Sequence, residues 1–364
     1  MMNGQSIAET YRRYMTLETG HISSLPIVIL MPHSACNCRC AMCDIWKANN
    51  HLRQLKEEDV QGLLSTLRKF HTREVVMTGG EAILNPNFFR FCEMIRKENI
   101  KLTLLSTGLT IGKHVSSILQ WVNEIIVSLD GDEQTHDDIR NMPGAFRKLK
   151  AGIEAIRRQA GNYKITGRSV IQKLNFRKWP SIIGAAKELG LHQISFLPAD
   201  LSSEAFNRQE PWNRQRQEEI MLNEAELQEM KSILDQISAL YLAEFDSGFI
   251  AESQAKLRKI LVYYSAWRGL NPFPYKKCNA PWVSTVVEAD GTVRPCFFHS
   301  AIGNIRTDSL DKILNGQYGR AFRNSLDVQT NKICERCVCS MYLPPFRNPI
   351  VPTPMKNVGG DLFL

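Results

Sequence analysis

Cys36, Cys40 and Cys43 stand at C-x3-C-x2-C within Ser34–Trp46, SACNCRCAMCDIW. Three thiolates on so short a loop can hold three corners of a [4Fe–4S] cube and leave the fourth iron to an outside ligand. An open position of that kind is what a metal needs to coordinate something other than protein. Cys38 breaks the spacing and is expected to point away from the cube, because Cys36 and Cys40 use the loop's inward directions. A structural zinc site with His33 as fourth ligand is the alternative. A second set, Cys278, Cys296, Cys334 and Cys337, lies far downstream, and Cys339 competes with Cys337 for the last place. Four thiolates close a cluster, which can then pass electrons but not readily take a substrate. Four cysteines in two pairs also suit tetrahedral zinc. Cys92 falls on an apolar helical stripe and reads as a buried structural thiol.

Other polar groups recur where apolar runs end. Met77–Thr78–Gly79–Gly80–Glu81 offers backbone that can approach a ligand closely, then a carboxylate for a cationic group. Leu105–Ser106–Thr107–Gly108 follows, then Ser128–Leu129–Asp130–Gly131 with His136 and Arg140 beyond. Taken with CNCRCAMC, and Met42 before its last cysteine, these motifs resemble the radical S-adenosylmethionine (radical SAM) superfamily. The resemblance implies Cys36, Cys40 and Cys43 as cluster ligands and Met42 at the cofactor. It implies Gly79, Gly80 and Glu81 around the amino group of S-adenosylmethionine, and Ser106 and Thr107 at its ribose. Ser128 and Arg140 are implied at its carboxylate or ribose; a guanidinium suits a carboxylate through two hydrogen bonds. Asp130 either touches the ligand or caps the following turn. The plain alternatives are a tight turn for Gly79–Glu81 and an exposed helix arginine for Arg140.

Cys278-x12-Gly291-x4-Cys296, followed by Cys334-x2-Cys337, resembles the auxiliary-cluster domain called SPASM, or its shorter form, twitch. The resemblance implies one auxiliary [4Fe–4S] cluster. It also implies the chemistry: reductive cleavage of S-adenosylmethionine yields a 5′-deoxyadenosyl radical that takes hydrogen from a substrate. The auxiliary cluster then carries electrons for an oxidation, epimerisation or bond formation on a small molecule. A peptide maturase working with a separate recognition protein is the second reading, since only about 26 residues precede the first strand. An electron donor such as flavodoxin or ferredoxin is implied. Lys173, Asp200 and Glu204 are candidate substrate contacts, or surface and capping residues. Readings of another class are a non-catalytic iron–sulfur or zinc module and an RNA modifier. The complete cysteine triplet and Glu81 argue against the first.

Charge argues against the second. The net charge is +8, from 45 basic and 37 acidic side chains, and it is spread out. Arg208, Arg214 and Arg216 lie among Glu210, Glu218 and Glu219 and read as a solvated face. No apolar run reaches the ~18 residues of a membrane helix, and the start has no apolar signal core. A cytoplasmic chain with reduced thiols is expected.

The elements that must position these groups alternate. Strands are predicted at Ile27–Met31, Glu74–Thr78, Lys101–Ser106, Glu124–Asp130, Ile165–Gln172 and His192–Leu197, with amphipathic helices between them. Every chemical motif up to Arg140 then follows a strand's C-terminal end, the face where (β/α) barrels build their sites. Asn223 and Glu226 predict a capping box opening a long helix, and a second helix is predicted over Ser253–Trp267. Val283–Glu288 and Thr292–Pro295 flank a hairpin turn at Ala289–Gly291. The fold class is α/β: a partial (β/α)6 TIM-like barrel with a small C-terminal α+β auxiliary-cluster domain. The expected divisions are an extension at 1–24, the barrel at 25–200, a helical connector at 201–270, the cluster domain at 271–345 and a tail at 346–364. The last ~25 residues are Pro-rich and expected over the surface.

Overall fold

A computed structural model describes residues 7–206, 208 and 210–346. Six strands pair side by side, all parallel: β1 (Ile27–His33), β2 (Glu74–Gly79), β3 (Lys101–Ser106), β4 (Glu124–Ser128), β5 (Ile165–Ile171) and β6 (Ile194–Pro198). Each lies within two residues of its predicted span at either end. The strands are apolar on both faces because helices cover the outside and other residues fill the inside. Val28, Leu30, Val75 and Met77 belong to the large outer core, whereas Ile27, Ile29 and Val76 pack in a second, inner cluster.

The outer layer includes α1 (Ile7–Thr19), α2 (Glu57–Lys69), α3 (Phe88–Arg96), α4 (Val115–Trp121), α5 (Glu133–Arg140), α6 (Ala145–Gln159) and α7 (Trp179–Glu188). Cys92 is fully buried on α3, as its stripe predicts. The connector carries α8 (Arg214–Ile220), α9 (Glu224–Leu240), α10 (Leu242–Asp246) and α11 (Gln254–Trp267). The predicted capping box opens α9: Asn223 Oδ1 accepts from Glu226 N–H, and Glu226 Oε2 from Asn223 N–H, each at 2.9 Å.

The barrel stays open, with β6 at one edge of the sheet. On the other side, β1 takes a second partner: β7 (Ser284–Val287) runs parallel to it, from Ile27 opposite Ser284 to Leu30 opposite Val287. The antiparallel strands β8 (Thr292–Arg294) and β9 (Gly303–Asn304) continue the same sheet. The C-terminal strands therefore cover an edge that would otherwise expose unpaired backbone groups.

The chain then turns inward. Met341 and Leu343 are buried against Ile27, Ile29, Val76 and Val286. Asn279 fastens this segment: its N–H and Nδ2 donate to the carbonyls of Met341 and Leu343 at 2.7 and 2.9 Å, and its Oδ1 accepts from Leu343 N–H. The expectation of a surface tail thus fails for 341–343, because two apolar side chains there complete the inner cluster; 347–364 lie outside the described residues. Among the described residues, no helix is long and apolar enough to cross a membrane.

Replacing Leu343 by alanine should destabilise the barrel by about 2–4 kcal/mol through lost burial and a residual cavity. Urea unfolding followed by tryptophan fluorescence measures it; a change under about 0.5 kcal/mol would be the response of a surface position.

Candidate active site

The cysteine loop leaves the C-terminal end of β1 and is held by backbone bonds. Arg39 and Ala41 N–H donate to the carbonyls of Arg140 and Ile139, at the end of α5, at 3.0 and 2.9 Å. Asn49 makes a two-way amide clamp on Cys36, with both bonds at 2.9 Å. Burial pushes the thiols of Cys36 and Cys43 up to about 12. Cys40 moves the other way: the Cys38 thiol bonded to it, and then the Arg140 guanidinium, hold it down to about 6 against its burial. Arg140 Nη1 lies 3.6 Å from Cys40 Sγ. Cys38 does not turn aside as expected. It is buried against Cys40 and donates to that sulfur, because two side chains two residues apart share a side of this irregular loop. His33 is committed elsewhere, its Nδ1 accepting from Ala35 N–H at 2.8 Å.

The Gly79–Gly80–Glu81 turn docks against the start of that loop. Gly79 has φ +122°, a conformation that other residues rarely adopt. A Cβ on Gly80 would stand 2.0 Å from the Ala35 carbonyl oxygen, and Glu81 N–H donates to the same oxygen at 2.8 Å. Glu81 is fully buried, which raises its pKa. Ser106 Oγ lies 3.0 Å from Glu81 Oε2, Thr107 N–H donates to it at 2.8 Å, and Thr107 Oγ1 lies 2.7 Å away. All these donors are neutral. The Asn37 Nδ2 group and both amide atoms of Gln172, at the end of β5, are buried without hydrogen-bond partners. A buried carboxylate without a cation among the described residues, together with orphaned amides, fits a polar, cationic ligand at this rim.

Asp130 and Arg140 face each other. Arg140 Nη2 pairs with Asp130 Oδ2, and Val170 N–H donates to Asp130 Oδ1 at 3.0 Å. The Asp130 carboxylate is engaged within the protein, and it is Asp132 that caps α5, accepting from Thr135 N–H at 3.0 Å. Arg140 is buried rather than an exposed helix residue. Ser128 ends β4, half-buried and opposite Arg168 of β5. His136 lies beneath, fully buried, with Nδ1 accepting from Asp130 N–H at 3.2 Å.

The connector reaches back over the loop. Arg208, read from sequence as part of a solvated face, is buried and paired with Asp200. Its Nη2 approaches the carbonyl of the buried Met42 at 3.5 Å, and its guanidinium stacks on Trp212 at 3.8 Å. Trp212 Nε1 donates to Asp44 at 2.8 Å, and Arg216 donates to the Ala41 carbonyl. Local charge balance concealed these contacts, since Ala41, Met42 and Asp44 lie far away in sequence. An isolated tryptophan between two arginines was the one available signal. Lys173 donates to the Glu218 carbonyl at 3.3 Å and so braces the connector. Glu204 lines an outer cleft of about 1030 Å³, bordered also by Lys47, Arg53, Asp290, Phe206 and Phe297.

Phe206 and Phe297 stack at 6.1 Å and also border an inner, mainly apolar cavity of about 250 Å³. Its far wall carries all five C-terminal cysteines: Cys278, Cys296, Cys334, Cys337 and Cys339. His299 Nε2 lies 3.3 Å from Cys334 Sγ, and Cys337 Sγ lies 2.6 Å from the Cys339 carbonyl oxygen. Among the described residues, no three His, Cys, Asp or Glu side chains close round a single-ion site. The five cysteines instead surround this wider space, and thiolate donors around it suit an iron–sulfur cluster.

The Radical SAM superfamily matches residues 30–184, and the SPASM iron–sulfur cluster-binding domain matches residues 278–338. The cysteine-type anaerobic sulfatase-maturating enzyme of Clostridium novyi is 25% identical over 344 residues, 87% of this chain and 86% of that protein. The AdoMet-dependent heme synthase of Methanosarcina barkeri is 25% identical over 43% of this chain, and the match spans only 46% of that protein. The subtilosin biosynthesis protein AlbA of Bacillus subtilis is 23% identical over 77% of this chain and 57% of that protein. Among solved structures, Streptococcus suis SuiB bound to S-adenosylmethionine superposes with a TM-score of 0.61 at 14% identity, covering 94% of this chain and 78% of SuiB. That likeness is one of fold.

Two outcomes are expected. Gly80→Ala should push the cysteine loop off its turn and reduce S-adenosylmethionine cleavage by at least about tenfold; product counting by chromatography measures it, and wild-type rates would contradict the close contact. His136 is held down to about 4, first by burial and then by Arg140. Between pH 6.5 and 4 the unfolded chain takes up a proton that the folded chain refuses, so stability falls as the pH falls. The total loss should be about 3 kcal/mol, and it should be missing from the pH profile of urea unfolding in His136→Gln.

Proposed function

We propose that this radical SAM enzyme, with its SPASM auxiliary-cluster domain, modifies one side chain or chain end of a peptide substrate. The observation that carries the reading is a wide outer cleft that shares Phe206 and Phe297 with the inner, cysteine-lined cavity. The outer cleft, about 1030 Å³, lies at the upper end of the ~300–1,000 Å³ of small-molecule sites and is lined by charges of both signs. The inner cavity is small, apolar and faced by the auxiliary cysteines. A peptide segment fits the outer cleft, with one group turned past Phe206 and Phe297 toward the space that the auxiliary cysteines surround. The C. novyi relative, a sulfatase-maturating enzyme that aligns along 87% of this chain, supports a protein substrate over a free metabolite.

Cys36, Cys40 and Cys43 would hold the site-differentiated [4Fe–4S] cluster. Cys278, Cys296, Cys334 and either Cys337 or Cys339 would hold the auxiliary one. When bound, S-adenosylmethionine and the first cluster supply a carbon-centred radical able to take a hydrogen atom, and the auxiliary cluster supplies a one-electron relay. The chain's own groups orient and enclose. Glu81, fixed by Ser106 and Thr107, would receive the cofactor's ammonium group, and Asn37 Nδ2 and the Gln172 amide, all without partners, would meet its polar parts. Arg140 turns Nη1 to Cys40 and Nη2 to Asp130, and its buried Nε keeps a free donor. Arg208, Trp212 and Arg216 close the loop from above and exclude water. An acidic electron carrier such as flavodoxin or ferredoxin would supply the reducing electron, and a separate protein would present the peptide.

Anaerobic reconstitution should give about eight irons per chain and release 5′-deoxyadenosine under dithionite. With Cys36, Cys40 and Cys43 all changed to alanine, iron should fall to about four and 5′-deoxyadenosine should vanish. Retention of about eight irons in that variant would place the first cluster elsewhere.

A further inference from the structure

Cations that the sequence keeps apart meet on the outside of the C-terminal domain. Lys259 comes from α11, Lys276 and Lys277 from the segment after it, and Lys332 and Arg336 from a short helix at Lys332–Arg336. Residues 254–278 and 332–336 together carry eight cations and one carboxylate, Glu335. Contacts tie these segments into one face. Lys259 Nζ donates to the Tyr275 carbonyl at 3.3 Å, Lys276 Nζ donates to the Glu335 carbonyl at 2.6 Å, and Arg336 stacks over Trp267 at 5.3 Å. Arg258 and Arg268 are paired with Asp235 and Glu218. Lys259, Lys276, Lys277, Lys332 and Arg336 make no ion pair among the described residues. Tyr275 and Ile333 stand exposed among them. One sign of charge around exposed apolar side chains is the make-up of a docking face for a partner of the opposite sign. The face also lies against the auxiliary cysteines. Lys259, Tyr275 and Lys276 border a small pocket whose wall includes Cys337. Cys337 borders the inner cavity as well, so one residue spans from the cluster space to this surface.

We propose that this face docks an acidic one-electron carrier protein, of the flavodoxin or ferredoxin class, which takes from the auxiliary cluster the electron that oxidation of the substrate radical leaves there. The proposal rests on the relay reading above and gives the relay its outlet. One electron leaves the reduced cluster and enters the oxidised carrier; no bond to the protein forms or breaks. A cluster that receives an electron in each turnover must pass it on before the next. Electron carriers meet their partners through small, transient interfaces, and opposite charge supplies the encounter rate. The unpaired cations serve that encounter, and Tyr275 and Ile333 give the docked carrier an apolar contact beside Cys337.

The test uses the full chain with Cys36, Cys40 and Cys43 changed to alanine and reconstituted with iron and sulfide, so that the auxiliary cluster is the one electron source. After reduction by dithionite and desalting, it is mixed with oxidised flavodoxin, and semiquinone formation is followed by stopped flow. The second-order rate constant should fall at least about tenfold between about 0.05 and about 0.5 M NaCl. It should fall at least about tenfold when Lys259→Gln, Lys332→Gln and Arg336→Gln are added, and by less than about twofold when Lys148→Gln and Arg158→Gln are placed on α6 instead. With the loop cysteines restored, the three substitutions on the face should leave dithionite-driven release of 5′-deoxyadenosine unchanged, which a folding defect would not. An unchanged rate constant in the face variant, or an equal loss in the α6 variant, would overturn the docking face. So would binding of a single-stranded oligonucleotide that the face substitutions abolish while flavodoxin reduction persists, which would assign the cations to nucleic acid. Absence of iron from the alanine variant is a separate result: it removes the auxiliary cluster, and with it the relay on which the proposal rests.

Discussion

Asp130 and Arg140 form an ion pair shut inside the rim of the barrel, and the geometry of the site follows from it. Asp130 closes β4 and also accepts from the backbone of β5. Arg140 ends α5 and reaches Cys40 Sγ, while its own carbonyl receives Arg39 N–H. Two strands, a helix and the cysteine loop thus meet at one pair of charges. Removing either partner would strand a buried charge, at a cost of about 3–5 kcal/mol. A cysteine-rich loop has little apolar surface to fix itself, so the barrel must hold it. The loop's backbone is fixed by the barrel, and the Cys38 thiol and the Arg140 guanidinium favour the thiolate form of Cys40.

A second constraint acts on the two sites together. β7 pairs with β1, so the strand that launches the first cysteine loop is hydrogen-bonded to the strand that carries the C-terminal domain. Met341 and Leu343 lock that domain into the barrel from within. The auxiliary cysteines therefore face the barrel axis through one continuous sheet and not across a flexible domain boundary. The connector completes the enclosure with Arg208 and Arg216 against Trp212, at 3.8 and 4.9 Å. Chemistry with a reactive radical benefits from this arrangement, because it excludes water.

What the sequence disclosed was mostly local. The six parallel strands were legible because they are short apolar runs between helical periods. The α9 cap was legible because Asn223 and Glu226 are three residues apart. The cysteine spacing, Gly79–Glu81 and the strand-end serines were legible because each site group sits in one short segment. The hidden features all depend on distant pairing. Nothing local says that Ser284 will lie beside Ile27, or that Leu343 will turn inward and not over the surface. Arg208 and Arg216 looked solvated because nearby glutamates balance them, although both contact the cysteine loop 166 and 175 residues away.

The central claim is that one loop leaves an iron open to S-adenosylmethionine while the C-terminal cysteines close a second cluster. Electron paramagnetic resonance of the dithionite-reduced holoenzyme, recorded before and after adding S-adenosylmethionine, tests it most directly. Two cluster signals are predicted, of which one changes its g-values with the cofactor and the other does not. A single cluster per chain, or two signals that both ignore S-adenosylmethionine, would contradict the account.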